Sequence, residues 1–526
     1  MAVAGSRPGQ TPGWISRRDL LPGVTLSVLA IALRILVAAQ REGIEIDGIT
    51  YLENARALLT NWRSINVLQP PLYSLLLAPF LGLWHDSEWT ARVLSAVLGG
   101  LWVWPTLWLA RETTDEDVSW TAGLLVALTP AAVEASTKVL SEAAFGLCLT
   151  TFLVFLVRSL RTGSRASAAF TGIFGGLATL ARPEGMGYLA LVWGLIVLAP
   201  FCFGGLWTGR AALTRLAIVT LCWLTITYPY MALVRSQIGY WHWSGKAGIS
   251  LLFAESVGDE RQGSFGERHL AEVQEEDIPR SLLEYVMARP GMTLRRMIIN
   301  LHLIDKYVLT ALLTSGGIVL VVLGLAHLRF RRPPSRPEWL LVVVPLPLSG
   351  FLLYLVGARY FVALIPVLSI IAGIGLSRIG RQEGLRISRR LSMPNCLLFI
   401  VVLVSFVPWI IRPWFRQDPY AIEKAAGLWL RRTVGPKTVF IGSYAVLGYY
   451  ADSRGIMFGN RSLEDLLTAG RQAGARFLIA DNFRLPESRP DLMALAAGGQ
   501  QVRPYLEMIH VVEDRAGRRI LIYYIQ

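Results

Sequence analysis

The sequence predicts an α-helical membrane protein that crosses the bilayer many times and ends in a small α/β domain. Hydrophobic residues make up 53% of the 526-residue chain, and its mean hydropathy is +0.46. Charged residues make up 17%, whereas soluble domains contain roughly 25%. Apolar runs of about 20 residues, the length that a membrane-spanning helix needs, recur along the chain. Together these observations exclude an ordinary soluble protein.

The apolar runs predict about eleven membrane-spanning helices, within a transmembrane domain of residues 1–415. The spans cover residues 20–40, 89–110, 118–134, 139–158, 167–182, 185–206, 212–234, 306–327, 338–356, 360–377 and 395–413. Arg182, Pro183 and Glu184 interrupt the stretch at 167–206. A single re-entrant unit is therefore an alternative to two spans there.

Basic residues gather in alternate short loops and predict how the chain is oriented. They are Arg17, Arg18, Arg158, Arg161, Arg165, Arg210, Arg215, Arg329, Arg331, Arg332, Arg336, Arg378, Arg381, Arg386, Arg389 and Arg390. Because cytoplasmic loops carry an excess of lysine and arginine, we expect a cytoplasmic N-terminus and an outer C-terminal domain, in the cell inner (plasma) membrane. The net charge of +14 therefore indicates a lipid bilayer as partner and no nucleic acid.

The loop after the first span carries an acidic pair, Glu45 and Asp47, where the chain leaves the bilayer. Carboxylates at that depth are costly and are commonly functional. Residues 47–60 and 71–84 then read as amphipathic or apolar helices lying along the membrane interface. A carboxylate beneath such helices suits chemistry on a substrate whose tail is in the lipid. Capping of the interfacial helix is the simpler role for Asp47.

The C-terminal part, residues 416–526, changes character. Residues 438–442, 475–480 and 519–525 are rich in β-branched and aromatic side chains and predict strands. Residues 462–470, with Ser462 as N-cap, and 491–498 predict helices between them. This alternation predicts a small extracytoplasmic α/β domain, which we interpret as a lid or docking module.

Polar residues from separate spans are expected to converge on the outer face. They are Asp47, Lys138, Glu142, Arg182, Glu184, Arg359 and Tyr360. This set suits a glycosyl transfer from a lipid phosphate. A carboxylate can deprotonate an acceptor hydroxyl as general base, and arginine or lysine can hold the leaving phosphate.

These residues also have simpler explanations. Glu142 could interact with the dipole of a helix N-terminus, and Arg182 and Arg359 could be interface anchors. Arg34, in the middle of the first span, is expected to pair with a neighbouring acid. For the whole chain, the alternatives are a transporter or flippase of a lipid-linked or small polar substrate, and a non-catalytic assembly protein. The position of the polar groups, at the outer edge and not mid-membrane, favours surface chemistry over transport.

An ordered set of motifs resembles a known family. The set comprises Arg34, Asp47-Gly48 with Tyr51, Gln69-Pro70-Pro71-Leu72-Tyr73, Pro130, Ser141-Glu142, the stretch 180–185, and the stretch 357–361 with Pro366. It resembles the GT-C superfamily of integral-membrane glycosyltransferases, in the bacterial branch related to protein O-mannosyltransferases and to the enzymes that add aminoarabinose to lipid A. The resemblance covers roughly residues 1–380, and the C-terminal domain matches more loosely.

The resemblance implies an inverting transfer of a hexosyl or pentosyl unit from a polyprenyl-phosphate-linked donor, on the extracytoplasmic side. The acceptor would be a lipid, a glycan or a protein. No cofactor is required, no metal ligands are assigned, and assistance from a divalent cation is left open. By position, Asp47 and Glu142 match the catalytic acids, and Arg182 and Arg359 the donor-phosphate ligands.

Six further residues are substrate-binding candidates beside these four: Tyr51, Gln69, Tyr73, Lys138, Glu184 and Tyr360. One of them departs from the family pattern. The lipid A branch carries a lysine before its Pro-Pro, where this chain has Gln69. The departure weakens a lipid A assignment and leaves the acceptor open.

Overall fold

We describe the fold from a computed structural model of the chain. It describes residues 17–82, 86–203, 208–246, 251, 279, 282–304, 308–330, 335–353, 356–382, 400, 404, 407, 411, 418–459, 461–497 and 505–526. The predicted span at 395–413 lies almost entirely outside the described residues.

Helices build the described part of the transmembrane domain. They are α1 (Arg17–Ala38), α2 (Ile46–Thr60), α3 (Leu72–Leu77), α4 (Ser87–Leu101), α5 (Val103–Thr113), α6 (Glu116–Leu128), α7 (Pro130–Ala135), α8 (Glu142–Thr162), α9 (Arg165–Ala181), α10 (Gly185–Phe203), α11 (Gly209–Ile238), α12 (Leu282–Ala288), α13 (Pro290–Leu303), α14 (Leu309–Ala326), α15 (Leu340–Val343), α16 (Ala358–Phe361) and α17 (Ile365–Gln382). Short 3-10 turns lie at Trp62–Ser64, Ala78–Phe80, Leu346–Leu353 and Val362–Leu364.

Within the described residues, five helical stretches are long and apolar enough to cross a membrane. They are Leu20–Ala38, Ser87–Thr113, Glu142–Thr162, Gly209–Ile238 and Ala358–Arg378. Shorter apolar helices lie at Gly185–Phe201, Gly316–Ala326 and Leu340–Leu353. All coincide with predicted spans. The helical, multiply spanning architecture is thus supported, whereas the number of spans stays a prediction.

Two small residues let α9 and α11 pack closely. A Cβ atom at Gly172 would lie 2.4 Å from the Val219 carbonyl oxygen, and one at Gly176 would lie 2.8 Å from the Trp223 ring. Because lipid tails are as apolar as leucine, close backbone approach between small residues is a main source of helix association in membranes. Helices α9 and α10 are separate and lie on either side of Pro183, as two predicted spans require.

The predicted span at 118–134 is broken in the structure, between α6 and α7. Pro130 begins α7 and has no backbone N–H to continue the hydrogen-bond ladder. Arg34, which is fully buried, reaches this break. Its NH1 donates to the carbonyls of Ala127 (2.9 Å) and Ala30 (3.1 Å), and its NH2 to that of Val126 (3.1 Å).

The expectation that Arg34 pairs with an acid is therefore wrong. Carbonyls at the end of a helix lack intrahelical partners and form the negative end of its dipole. Those at the end of α6 accept from both terminal nitrogens of the guanidinium in place of a carboxylate, which helps the bundle to tolerate a buried cation.

The C-terminal part contains a five-stranded sheet with helices. Its elements are α18 (Ala421–Thr433), β1 (Val439–Ile441), α19 (Ala445–Ala451), β2 (Arg454–Ile456), α20 (Leu463–Gln472), β3 (Ala475–Asp481), α21 (Leu485–Ser488), α22 (Met493–Ala497), β4 (Leu506–Glu513) and β5 (Arg519–Ile525), with a 3-10 turn at Pro490–Leu492. The strand order is β2-β1-β3-β5-β4, parallel across β2-β1-β3 and antiparallel across β3-β5-β4.

A shared apolar cluster joins the sheet unit to the loop after the first span. Ile44, Ile49 and Leu52, before and within α2, are buried together with Val446 and Tyr450 of α19. The cluster is separate from the main cores of the helical bundle and of the sheet. Helix α2 is thus held from two sides, by the transmembrane helices and by the C-terminal unit.

We predict that Arg34→Met destabilises the protein. The carbonyls of Val126 and Ala127 would lose a charged donor, and leaving such groups unpaired costs about 1–3 kcal/mol. Thermal unfolding in lipid nanodiscs would measure the loss as a lower unfolding midpoint. Arg165→Met, at an exposed position in the first turn of α9, is the matched control and should leave the midpoint nearly unchanged. Equal midpoints for the two variants would contradict the assignment.

Candidate active site

Helix ends bring the predicted polar residues to one place. Asp47 lies in the first turn of α2, and Glu142 begins α8. Arg182 is the residue that ends α9, and Arg359 lies in the short helix α16. Glu45, not Asp47, occupies the N-cap position of α2, and neither side chain caps the helix there. The capping alternative for Asp47 therefore does not account for its position.

The charged side chains form a continuous chain of ion pairs. Lys246 Nζ lies 3.7 Å from Asp47 Oδ1, and Arg359 NH2 lies 2.6 Å from Asp47 Oδ2. Arg359 Nε lies 3.7 Å from Glu142 Oε1, which also accepts from Arg182 NH1 at 2.9 Å.

Glu184 completes this ion-pair chain. Arg182 donates to its two oxygens, from NH2 at 3.0 Å and from Nε at 3.4 Å. The ion-pair chain thus alternates three cations, Lys246, Arg359 and Arg182, with three carboxylates, Asp47, Glu142 and Glu184.

Exposure distinguishes the two arginines. The Arg359 side chain is 42% exposed, whereas that of Arg182 is 10% exposed and that of Glu142 is 3% exposed. Arg182 is held between Glu142 and Glu184, and Arg359 faces outward between Asp47 and Glu142. Both guanidinium carbons lie 5.2 Å from the centre of the Tyr360 ring, at cation–π distance. Arg359 is therefore the more accessible cation for an incoming anion.

The charges around Asp47 decide its protonation state. Burial alone would raise the pKa of Asp47, but the charges of Lys246 and Arg359 and the Arg359 hydrogen bond bring the pKa below its usual value. Asp47 is therefore ionised at neutral pH. Its Oδ1 also accepts a hydrogen bond of 3.0 Å from Gln69 Nε2.

Of the remaining predicted residues, some contact the ion-pair chain and others do not. The Tyr51 hydroxyl lies 3.3 Å from Gln69 Oε1 and 2.9 Å from Ser141 Oγ, so that Tyr51 and Gln69 line the Asp47 end. Tyr73 is fully buried, and its ring packs against that of Tyr51. Its hydroxyl donates to the Ala91 carbonyl and lies within hydrogen-bond distance of Ser95 Oγ. The described contacts of Tyr73 therefore give it a packing role.

Lys138 is also separate from the ion-pair chain in the structure. It pairs with Glu134 at 2.8 Å, four residues earlier. Its charge acts on Glu45, whose pKa is raised by burial against the opposing effect of Lys138. A place for Lys138 in substrate binding stays a prediction.

Sequence reasoning missed Lys246. It lies in the loop after α11, where Gly245 N–H donates to the Val67 carbonyl at 3.2 Å and so ties this loop to the one after the first span. The residue stands in an aromatic-rich loop without a recognisable motif, and nothing in the sequence links it to Asp47, which lies about 200 residues earlier.

Two buried polar atoms at the site have no hydrogen-bond partner among the described residues. They are Glu142 Oε2 and the hydroxyl of Tyr188, which lies in the first turn of α10. Buried polar atoms are normally paired, so each of these atoms has unused hydrogen-bonding capacity. Within the described ranges, no group of three His, Cys, Asp or Glu side chains is arranged to hold a metal ion.

Comparisons with known proteins identify the fold. The sequence matches the family model for dolichyl-phosphate-mannose-protein mannosyltransferases over residues 68–223, a segment that includes Gln69, Glu142 and Arg182. No curated protein matches the sequence. ArnT from Cupriavidus metallidurans, in a structure with bound undecaprenyl phosphate, is similar with a TM-score of 0.59 and 16% identity, over 97% of this chain and 98% of that chain.

The archaeal oligosaccharyltransferase AglB from Archaeoglobus fulgidus is similar as well. Its complex with an inhibitory peptide and a dolichol-phosphate matches with a TM-score of 0.54 and 15% identity, over 96% of this chain and 74% of that chain. Both are GT-C glycosyltransferases. The predicted resemblance to GT-C proteins is confirmed at the level of the fold, which this chain shares with these membrane proteins.

We predict that Arg359→Gln changes how stability depends on pH. In the wild type, the lowered pKa of Asp47 stabilises the fold above the unfolded-state pKa of about 3.9, and this contribution is lost as the pH falls through the lower folded-state value. Without Arg359, two of the interactions that oppose the effect of burial are lost, and the pKa of Asp47 rises. The variant should therefore be less stable near neutral pH, and the deficit should shrink towards about pH 4.

Thermal unfolding in nanodiscs across this range would measure the deficit. The same Arg359 substitution in an Asp47→Asn background is the control, because the titrating carboxyl is then absent. An equal pH dependence in both backgrounds would contradict the role assigned to the Asp47–Arg359 pair.

Proposed function

We propose that this protein is a glycosyltransferase that moves a monosaccharide, hexosyl or pentosyl, from a polyprenyl-phosphate-linked donor to an acceptor hydroxyl, with inversion at the anomeric carbon. The observation that carries the proposal is the accessible Arg359 guanidinium, 2.6 Å from Asp47, on a GT-C fold. A general base and an anion-binding cation thus lie side by side. The family match and the lipid phosphates bound by ArnT and AglB support a lipid-linked donor.

Two cations are proposed to bind the donor phosphate directly. Arg359 and Lys246 flank Asp47, and both side chains are partly exposed, at 42% and 38%. Arg182 lies behind them, where its charge adds to the positive potential and its contacts orient Glu142 and Tyr360. The polyprenyl tail would lie between the spans while its phosphate reaches this outer pocket.

Binding of the donor would activate Asp47. A phosphate that takes over the Arg359 hydrogen bond removes one of the interactions that lower the pKa of Asp47, and burial then raises that pKa. A higher pKa makes the carboxylate a stronger base. The site would therefore acquire its base when the donor is in place.

The transfer itself balances in charge and atoms. The acceptor oxygen forms a bond to the anomeric carbon, and its proton passes to Asp47. The bond between that carbon and the phosphate oxygen breaks, and its electron pair leaves with polyprenyl phosphate. One negative charge thus moves from Asp47 to the phosphate, where Arg359 and Lys246 stabilise it. The chain's own cations supply the charge that the leaving group requires, so the step needs no cofactor.

The distribution of arginines supports an extracytoplasmic site. Helix α8 begins at Glu142 in the site and ends near Arg158 and Arg161, which both pair with Glu112 at the end of α5. Arg336 pairs with Asp115 next to this cluster. The predicted cytoplasmic arginines thus lie at the opposite end of the bundle from Asp47, which favours a cytoplasmic N-terminus in the plasma membrane.

We predict that Asp47→Asn abolishes transfer and leaves folding intact. The substitution keeps the shape of the side chain but removes the proton acceptor. Purified protein in nanodiscs with a panel of radiolabelled polyprenyl-phosphate sugars and acceptors would be assayed for release of free polyprenyl phosphate. Asp452→Asn is the matched control, because Asp452 lies in the C-terminal unit in a left-handed conformation that asparagine tolerates.

Release by the wild type and the control, with at least a hundredfold less from Asp47→Asn, is expected because general base catalysis contributes about 10²–10⁴-fold. Full release by Asp47→Asn would remove Asp47 from the base role. Absence of release from the wild type with every donor and acceptor would favour the transporter alternative.

We predict that Lys246→Met weakens donor binding. Loss of a charged hydrogen bond to phosphate should raise the KM for the donor about tenfold, with a smaller change in kcat, and added salt should reduce the difference from wild type. Lys437→Met, at an exposed position of the C-terminal unit, is the control. A lower kcat with an unchanged donor KM would contradict a phosphate contact.

A further inference from the structure

A series of buried hydrogen bonds and ion pairs, here called the polar relay, connects the C-terminal unit to the segment that precedes Asp47. The Tyr450 hydroxyl of α19 donates to Glu88 Oε2 at 2.7 Å, and Lys424 Nζ lies 3.5 Å from the same oxygen. The other Glu88 oxygen pairs with Arg92, one turn further along α4. Tyr450, Glu88 and Arg92 are all buried.

Arg92 holds two carbonyls of the segment before α2. Its NH1 donates to the Arg41 carbonyl at 2.5 Å and its NH2 to the Gly43 carbonyl at 2.7 Å. Glu45, two residues after Gly43, is the N-cap of α2, and Asp47 follows in its first turn. The two hydrogen bonds from Arg92 therefore hold the backbone just before the start of α2.

The C-terminal unit also contacts this segment directly. Asp418 Oδ2 accepts from the Glu42 backbone N–H at 3.3 Å, and Asp418 Oδ1 accepts from that of Tyr420 at 2.9 Å. Tyr420 packs so closely on Gly43 that a Cβ atom there would lie 2.4 Å from the Tyr420 Cβ. Together with the shared apolar cluster, these contacts fix both the backbone and one face of α2.

We infer that Tyr450, Glu88 and Arg92 are positioning residues, through which the C-terminal unit holds Asp47 in register with Arg359. Asp47 has to meet a guanidinium from a segment 312 residues later in the chain, within hydrogen-bond distance. A shift at the start of α2 moves Asp47 directly, and misplacement of a reacting group by about 1 Å can cost about 10²-fold in rate. The catalytic consequence rests on the proposed function, whereas the positioning itself does not.

Two measurements on full-length Tyr450→Phe in nanodiscs test this inference. The substitution removes the hydroxyl and keeps the ring in the apolar cluster. Amide hydrogen exchange over residues 41–50 should become about tenfold faster, because a hydrogen bond to a charged group is lost and the segment opens more often. The kcat for polyprenyl phosphate release should fall about tenfold with an unchanged donor KM.

Tyr523→Phe is the matched control. Tyr523 is a buried tyrosine of the same unit whose hydroxyl donates to the Leu495 carbonyl at 2.6 Å, and both residues belong to the core of the sheet unit and not to the cluster shared with α2. It should lower the unfolding midpoint to a similar degree and change neither the exchange of residues 41–50 nor kcat. A purely structural role for Tyr450 predicts that the two variants behave alike, and that result would overturn the inference.

Arg92→Lys gives an independent check, because lysine keeps the charge but cannot hold both carbonyls. Combined with Tyr450→Phe, it should accelerate exchange by less than the product of the two single effects, since both act on one relay. If the effects of the two substitutions on the exchange rate multiply, the two residues act independently, and the inference is overturned. If the wild type releases no polyprenyl phosphate from any donor, the proposed function fails, and hydrogen exchange still decides the positioning role.

Discussion

The ion pair between Asp47 and Arg359 joins two segments that lie 312 residues apart in the chain. Asp47 is the more buried of the two, with 23% of its side chain exposed against 42% for Arg359, so its charge depends on the neighbouring cations for stabilisation. The same condition applies to Glu142, Arg182 and Glu184 behind them. The start of α8, the end of α9 and the position of α16 must therefore be mutually consistent, and the arrangement of the helical bundle follows from this requirement.

Much of the site could be predicted because its residues sit where spans end. Asp47, Glu142, Arg182 and Arg359 are polar residues at the limits of apolar runs, and a common topology places such limits at one depth. Pro183 marks the turn between α9 and α10 in the same way. Hydrophobic length and charge bias were enough to bring these side chains to one face, although their pairing could not be read from the sequence.

What escaped prediction depends on contacts between distant segments or on the backbone. Lys246 has no motif around it and reaches Asp47 only because its loop is tied to Val67. Arg34 binds carbonyls freed by Pro130, and backbone partners leave no charged residue to be noticed in the sequence. Strand β2 was missed because Arg454–Ile456 is short and contains a glycine. The docking of α19 on α2 depends on apolar side chains that would be buried in any arrangement.

The balance of charge explains what the ion-pair chain can and cannot select. Three cations and three carboxylates leave it neutral before a donor arrives, and any phosphate diester linked to a sugar would find the same partners in it. In the proposed transfer, the proton passes to Asp47 and the phosphate departs, so that total stays constant whatever the sugar. That proposal assigns discrimination between sugars or acceptors to neutral groups beside the reacting atoms. Tyr51 and Gln69 are in that position, linked to each other and, through Gln69, to Asp47.

An amide at residue 69 offers both a hydrogen-bond donor and an acceptor, whereas a lysine would offer a charge and donors alone. On the proposed function, the residue that departs from the family pattern is thus also a candidate for setting specificity.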